Sequence, residues 1–324
     1  MGRSARLDVP ACAGAAEQVT KSPFGADVDM AVVICTRDRG DQVALTLDAL
    51  DLQTWHGFDT VVFDQSRPVD RRLAARVAGG SDRFQVVVDE GAGLSRARNL
   101  AWRRLNAEWV VYLDDDCRPE PGWAAALAEV IARAGEVDVV SGHVSGGAPP
   151  EGEDYLEVSA FPVTDEAVVT GRWTPPWKVG FGVCMAVRRA TIEDLGGWDE
   201  RLGVGSGGPF GAAEDMDFNY RLLRGGGSGL VTPLVRASHE QWRPAAELAP
   251  LYERYMAGWC GFAMKHLRGG DVIGGLWLWS LGLVDALRML ASAGRRRSRL
   301  RGRVAMAKAR GLAVGTVKGI SRAW

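Results

Sequence analysis

The chain has 324 residues, 47% apolar and 24% charged, with a formal net charge of −1. That length suffices for one large α/β core with or without a small appendage, and that balance excludes sustained disorder over most of the chain. The near-neutral total hides an asymmetry: residues 291–324 hold ten Arg and Lys and no Asp or Glu, so taking those ten from 39 leaves 29 basic side chains against 40 acidic ones. The two parts are expected to meet different partners.

Residues 1–28 lack the charged-then-apolar order of a signal peptide and read as a loose leader. Met30–Cys35, MAVVIC, has the length and composition of a buried parallel strand. A polar turn, Thr36 to Gly40, precedes a helical spacing through Val43, Leu47 and Leu50. Thr60–Phe63, ending at Asp64, reads as a second strand and Phe84–Val88 as a third. A helix is predicted from Ser95 to Asn106, then a strand, Trp109–Leu113, that runs into three aspartates. Pro119-Glu120-Pro121 opens a predicted helix through Ala134, since proline is tolerated in a first turn. Val137–Ser141 is the next strand. Residues 145–180, rich in Gly, Pro and acids, read as a long loop or lid. Strand character resumes at Val183–Val187, a glycine-rich loop spans Gly203–Gly211, and a helix over Ala213–Arg224 stops at three glycines. Beyond about residue 245 the pattern is wholly helical.

Strands alternating with helices predict a mostly parallel sheet flanked by helices. The expected division is leader 1–28, α/β domain 29–244 and a helical, basic C-terminal extension 245–324. In such sheets ligands bind beyond the carboxyl ends of the strands, where Asp64 and Asp114-Asp115-Asp116 fall. Three adjacent carboxylates repel one another without a cation. Mg²⁺ and Mn²⁺ prefer oxygen ligands and share them with substrate phosphates, so a strand-end acid cluster suits a metal diphosphate. The alternative is a solvated turn capping the next helix. The five cysteines show no zinc-knuckle or CxxC spacing, and Cys35 and Cys184 read as reduced core residues of a reducing compartment.

Five motifs in order resemble the inverting glycosyltransferases of family 2, which have the GT-A (Rossmann-like) fold. They are VVICTRDR (32–39), VVFDQS (61–66), GLSRARN (93–99), YLDDDC (112–117), and GGWDERLG (196–203) followed by AEDMDFNYRL (213–222). The resemblance implies a nucleotide-diphosphate-sugar donor, an acceptor hydroxyl and Mg²⁺ or Mn²⁺. It also implies roles in glycan, cell-surface polysaccharide or glycoconjugate synthesis. By the family pattern Asp114 and Asp116 hold the metal, with His239 as an extra ligand. Thr36, Arg39, Asp64, Arg98, Asp114 and Asp115 face the donor. Trp198 and Glu214 face the acceptor, and Asp215 is the catalytic base. Asp217, two residues on, points elsewhere around the helix and reads as structural.

Two other functions were weighed against this one. A nucleotidyltransferase would need a glycine-rich, lysine-ended loop after the first strand, which CTRDRGD (35–41) lacks. A non-catalytic sugar-nucleotide-binding protein would be expected to lose its acids, yet Asp114, Asp116 and Asp215 remain. Residues 272–290 are strongly apolar and precede the arginines. They read either as an interfacial helix on an anionic membrane, on the cytoplasmic face, or as a helix packed on the domain or on a second subunit. The acceptor is a glycan, a lipid-linked sugar or a small-molecule hydroxyl. No nucleic-acid partner is expected.

Overall fold

The computed structural model describes residues 28–321 except 69, 72, 74, 76–82 and 148–154, so the leader lies outside the described residues apart from Val28. Strands β1 (Met30–Thr36), β2 (Asp59–Asp64), β3 (Phe84–Val88) and β4 (Trp109–Asp114) are parallel neighbours in the order β3-β2-β1-β4. Their register sets Thr36 beside Asp64 and Cys35 beside Asp114, so three strand ends open on one side of the sheet.

Alternate residues of these strands enter different cores, as the two-residue strand period requires. Val32, Ile34, Val111 and Leu113 face one side, against α1 (Gly40–Asp51) and α3 (Trp123–Arg133). Val33, Phe63, Val110 and Tyr112 face the other, where α2 (Leu94–Arg104) contributes Ala97, Ala101 and Trp102. Because both faces are covered, the strands read as continuous apolar runs.

Among the described residues the sheet has nine strands: beyond β4 come β9 (Cys184–Arg188), β6 (Val139–Gly146), β10 (Gly229–His239) and β5 (Cys117–Pro119) in that order, with β8 (Ala167–Val169) on the edge of β10. The parallel pairing resumes between β6 and β10, while β9 runs antiparallel between β4 and β6. The strand β5 pairs antiparallel with β10. That pairing uses the residues expected to open a helix, so α3 starts at Trp123 instead of Pro119. The described residues between 145 and 180 carry strand pairings not expected of a lid. Phe161 bridges Val144, β8 pairs with β10, and β7 (Tyr155–Glu157) pairs with β11 (Trp242–Pro244). These pairings satisfy backbone groups that a loop crossing the sheet would leave exposed. The short helix α4 (Arg189–Asp194) follows β9.

Helix α5 (Glu214–Arg224) lies on the second core through Phe218, Leu222 and Leu223. The C-terminal extension is three long helices, α6 (Leu248–Arg268), α7 (Val272–Arg296) and α8 (Arg299–Ile320). They pack on the α/β domain rather than stand apart from it: Phe262, Ala263, Met264 and Leu278 join Leu202, Phe210, Met216 and Tyr220 in one apolar cluster. Gly311 and Gly315 of α8 lie so close to α6 that a Cβ would strike the Glu253 and Ala257 carbonyls. Among the described residues α7 alone is long and apolar enough to cross a membrane, with a mean hydropathy of 1.3 in its most apolar window, 28% of which is buried.

A buried charge fixes the extension to α5. The Asp217 carboxylate is fully buried and receives Lys265 Nζ at 2.7 Å and Arg221 Nε at 2.9 Å, with His266 Nε2 at 2.8 Å. Burial alone would push this carboxyl up, but His266, Lys265 and Arg221 outweigh it and hold it well below the ordinary range. Asp217→Ala leaves Lys265, Arg221 and the His266 ring without this carboxylate and should cost about 3–5 kcal/mol in urea unfolding. Because the folded-state carboxyl is depressed, its contribution is full above about pH 4 and fades as pH falls further. The gap between wild type and variant should close in strong acid. A gap below about 1 kcal/mol at neutral pH, the worth of a surface pair, would refute this role.

Candidate active site

A cavity of about 920 Å³ opens at the carboxyl ends of β1 and β4. Asp114, Asp115 and Asp116 line its floor, and Glu214 and Asp215 enter from the first turn of α5. Thr36, Arg39, Arg98 and His239 line it as well. The register explains why residues far apart in sequence meet here. β10 reaches His239, which pairs with Cys117 of β5 and so lies beside Asp116.

The three aspartates occupy different environments. Arg39 spans two of them, with Nη1 2.6 Å from Asp115 Oδ1 and Nη2 2.6 Å from Asp116 Oδ2. Thr36 Oγ1 donates to Asp115 Oδ2 at 2.7 Å. Burial still raises Asp115 to about 7 against these partners. For Asp116 burial is outweighed by His239 and Arg39, which hold its carboxyl below the usual range. Gln241 Nε2 donates to the same Oδ2. The Asp114 carboxylate sits 3.5 Å from Arg98 Nη2.

His239 is 4% exposed, and its Nε2 lies 3.0 Å from Asp116 Oδ1, yet neither ring nitrogen completes a hydrogen bond. Burial disfavours its protonation, but Asp116 and then Asp114 raise its pKa above the ordinary value. Two orphaned buried nitrogens beside an ionised carboxylate form a nitrogen–oxygen donor pair that fits a divalent cation. Cys117 Sγ is the third atom of this group. Burial holds that thiol protonated and its Sγ faces the Val183 carbonyl at 3.5 Å, so it is no ligand for a hard ion. Asp114 falls outside the group, its carboxylate turned to Arg98.

Arg98 is the buried cation of the site, 2% exposed. Its guanidinium donates to the Gly182 carbonyl at 3.2 Å and lies 3.5 Å from both Asp114 Oδ1 and Glu214 Oε1. Gly182 has no side chain to spare: a Cβ there would overlap the guanidinium. Asp215 Oδ1 accepts from its neighbour's N–H, Met216, at 2.8 Å, and Oδ2 from Gly182 N–H at 3.3 Å. Burial drives Glu214 and Asp215 upward, each adjoining the other, and Arg98 pulls them back only in part.

Two expected site residues do not line the cavity. The Asp64 carboxylate is fully buried and turned into the loop after β2, where it accepts from the Ser66 N–H, the Ser66 hydroxyl and the Asp70 N–H. Its neighbour Gln65 takes the place on the cavity wall. Trp198 is 2% exposed and stacked on Phe218 at 4.5 Å. The Asn99 side chain clamps its backbone, and the indole supports the Arg98 guanidinium at 4.7 Å. Core packing therefore places this tryptophan beneath the site instead of on its wall.

The sequence reading missed the wall supplied by the extension. Tyr255 and Trp259, visible only as part of an apolar helical stripe, line the cavity from α6 with Arg254, while Arg243 and Gln241 enter from the turn at β11.

The model of the glycosyl transferase family 2 matches residues 31–196, half of the chain. An uncharacterised glycosyltransferase of Haemophilus influenzae is 22% identical over 198 residues, covering 60% of this chain and 62% of its own. The O-antigen biosynthesis protein RfbC of Myxococcus xanthus is 22% identical over 256 residues, 74% of this chain and 19% of its own. The chain thus spans less than two thirds of either relative. Among solved structures, the mannosyltransferase PcManGT of Pyrobaculum calidifontis, in complex with GDP-Man and Mn²⁺, superposes with a TM-score of 0.56 at 15% identity, covering 90% of this chain and 87% of its own. TarS of S. aureus gives 0.54 at 16% identity, covering 86% and 55%. The fold is the GT-A type, and the chain belongs to glycosyl transferase family 2.

Proposed function

We propose that the protein transfers a sugar from a nucleotide-diphosphate donor to an acceptor hydroxyl, with inversion and with a divalent metal, in the synthesis of a cell-surface polysaccharide or glycoconjugate. The observation that carries this reading is the convergence of the Asp116–His239 pair and Asp215 in one cavity, with Arg39 on Asp116 and Arg98 between Asp114 and Glu214.

Asp116 and His239 would hold Mg²⁺ or Mn²⁺, which supplies Lewis-acid stabilisation of the diphosphate leaving group, worth several kcal/mol in such sites. Thr36, Arg39 and Asp115 form the strand-end shelf for the nucleotide, and their mutual hydrogen bonds keep it in one geometry. Asp215 takes the proton of the attacking hydroxyl. Its two oxygens are held by backbone N–H groups, and burial raises its affinity for a proton toward what a base near neutrality needs. Glu214 lies within 3.5 Å of Arg98 and serves to orient the site.

The apolar outer face of α7 supports a peripheral membrane position on the cytoplasmic side. Ile273, Leu276, Leu287 and Leu290 are each more than half exposed, and Arg295, Arg296 and Arg297 follow. Asp285, the acid within the run, accepts from Lys308 Nζ at 2.6 Å.

Three outcomes follow from this reading. Asp116→Ala should abolish Mn²⁺-dependent binding of a nucleoside diphosphate while circular dichroism stays unchanged; undiminished affinity by calorimetry would remove Asp116 from the metal site. Asp215→Asn should spare that binding and lower kcat about 10²–10⁴-fold at saturating donor, with Glu214→Gln costing less. Turnover near the wild-type rate would place the base elsewhere. In flotation assays the full chain should rise with liposomes containing anionic lipid and not with neutral ones, because apolar burial and arginine charge act together. A monodisperse protein that stays at the bottom of both gradients would rule out the membrane position.

A further inference from the structure

A second cavity, of about 500 Å³, adjoins the first and shares Gly211 and Arg254 with it. It lies between the end of the glycine-rich loop and helices α6 and α8. Its walls are mixed: Phe210, Pro250, Ala257 and Val314 are apolar, whereas Arg254, Arg310 and Lys318 are cationic. Glu253 is the carboxylate lining it, and its Oε2 stands 3.9 Å from Arg310 Nη1. Among the described residues neither Arg254 nor Lys318 has a carboxylate partner. The first cavity is richer in acid, with Asp38, the three strand-end aspartates, Glu214 and Asp215 set against five arginines, Arg254 among them.

We propose that the second cavity is the outer half of the acceptor site and binds a phosphate group of the acceptor, with Arg254 at the junction as its main contact. This rests on the transferase reading of the first cavity. A phosphate monoester carries about −1.5 to −2 charges at neutral pH and is repelled from the aspartate floor. Arg254 offers a planar fork of donors that suits phosphate oxygens, and Lys318 and Arg310 add point charge farther out. Because Arg254 lines both cavities, an acceptor that anchors its phosphate there lies at the edge of the cavity that holds Asp215 and can present a hydroxyl to it. Tyr255 and Trp259, one and five positions after Arg254 on the same helix, give the sugar between them an aromatic wall. The phosphate arises either in a lipid phosphate, whose chain the apolar lining would accept, or in a soluble phosphorylated sugar.

The test uses the full chain in EDTA, so that metal-dependent nucleotide binding is silent. Farnesyl phosphate, glucose 6-phosphate, farnesol and glucose are titrated by calorimetry. At least one phosphate probe should bind, and its uncharged counterpart should bind at least about tenfold more weakly, the worth of one charge-assisted hydrogen bond. Arg254→Gln should weaken the phosphate probe by a similar factor and Lys318→Gln by less, with unchanged circular dichroism. A preference for farnesyl phosphate assigns the lipid source, and a preference for glucose 6-phosphate the soluble one. Equal binding of charged and uncharged probes, no binding of either phosphate, or an unaffected Arg254→Gln variant would overturn the proposal. Nucleoside diphosphate with Mn²⁺ is titrated in parallel. If it binds and the phosphates do not, only this inference fails; if it also fails to bind, the transferase reading falls with it.

Discussion

Six carboxylates line one cavity in this protein, and three of them depend on a single buried guanidinium. Asp114, Glu214 and Asp215 are each raised by burial, and Arg98 is the cation that pulls each of them down. Much of the second core exists to hold that cation. Trp198 stacks beneath it, Tyr112 adds a second aromatic face at 5.7 Å, and Gly182 withholds a side chain to make room. On the other side Arg39 performs the same service for Asp115 and Asp116, from a half-exposed position. Asp38, Asp114, Asp115, Asp116, Glu214 and Asp215 share the cavity lining with Arg37, Arg39, Arg98, Arg243, Arg254 and His239; the clustered strand-end acids favour a divalent cation, and the arginines suit phosphate oxygens.

Helix α5 links this chemistry to the rest of the fold. Its first turn carries Glu214 and Asp215 into the cavity, while Asp217, two positions later, points away and binds the extension through Lys265 and His266. Three acids of one helical turn thus divide between the cavity and the architecture, since residues one and two apart face different directions. The same connection explains why α6 can supply Arg254, Tyr255 and Trp259 to the cavity wall. The extension is anchored by a buried ion cluster and by glycine-mediated contact between α6 and α8.

The strands and the acid cluster were legible in the sequence because each rests on a local pattern. Apolar runs such as MAVVIC and WVVYL are buried on both faces, and the DDD run stands at a strand end as the pattern implied. The order of five motifs pointed to the family. What the sequence could not show was where side chains turn at the ends of those elements. Asp64 was expected to face the donor, but the Ser66 and Asp70 backbone takes its carboxylate, and that choice is made by a loop without periodicity. Trp198 was expected on the acceptor wall, but three-dimensional packing against Phe218 buries it. The cavity-facing role of Tyr255 and Trp259 was hidden for the opposite reason. A stripe at helical spacing looks the same whether it faces a core or a cavity. The triplet Gly311, Gly315 and Gly319 has a spacing of four that signals close helix contact, although its partner helix emerges only from the fold.

Mn²⁺ and a nucleoside diphosphate are expected to enter this cavity together, the metal on the strand-end acids and the diphosphate on the metal and the arginines. Thermal unfolding of the wild-type chain with Mn²⁺ alone, with a panel of nucleoside diphosphates alone, and with both tests it most directly. Ligands that bind the native state raise the midpoint by mass action. The account predicts, for at least one nucleotide, a joint shift larger than the two separate shifts combined, because each ligand supplies charge that the other needs. Separate shifts that merely add, or no shift with any nucleotide and metal together, would contradict it.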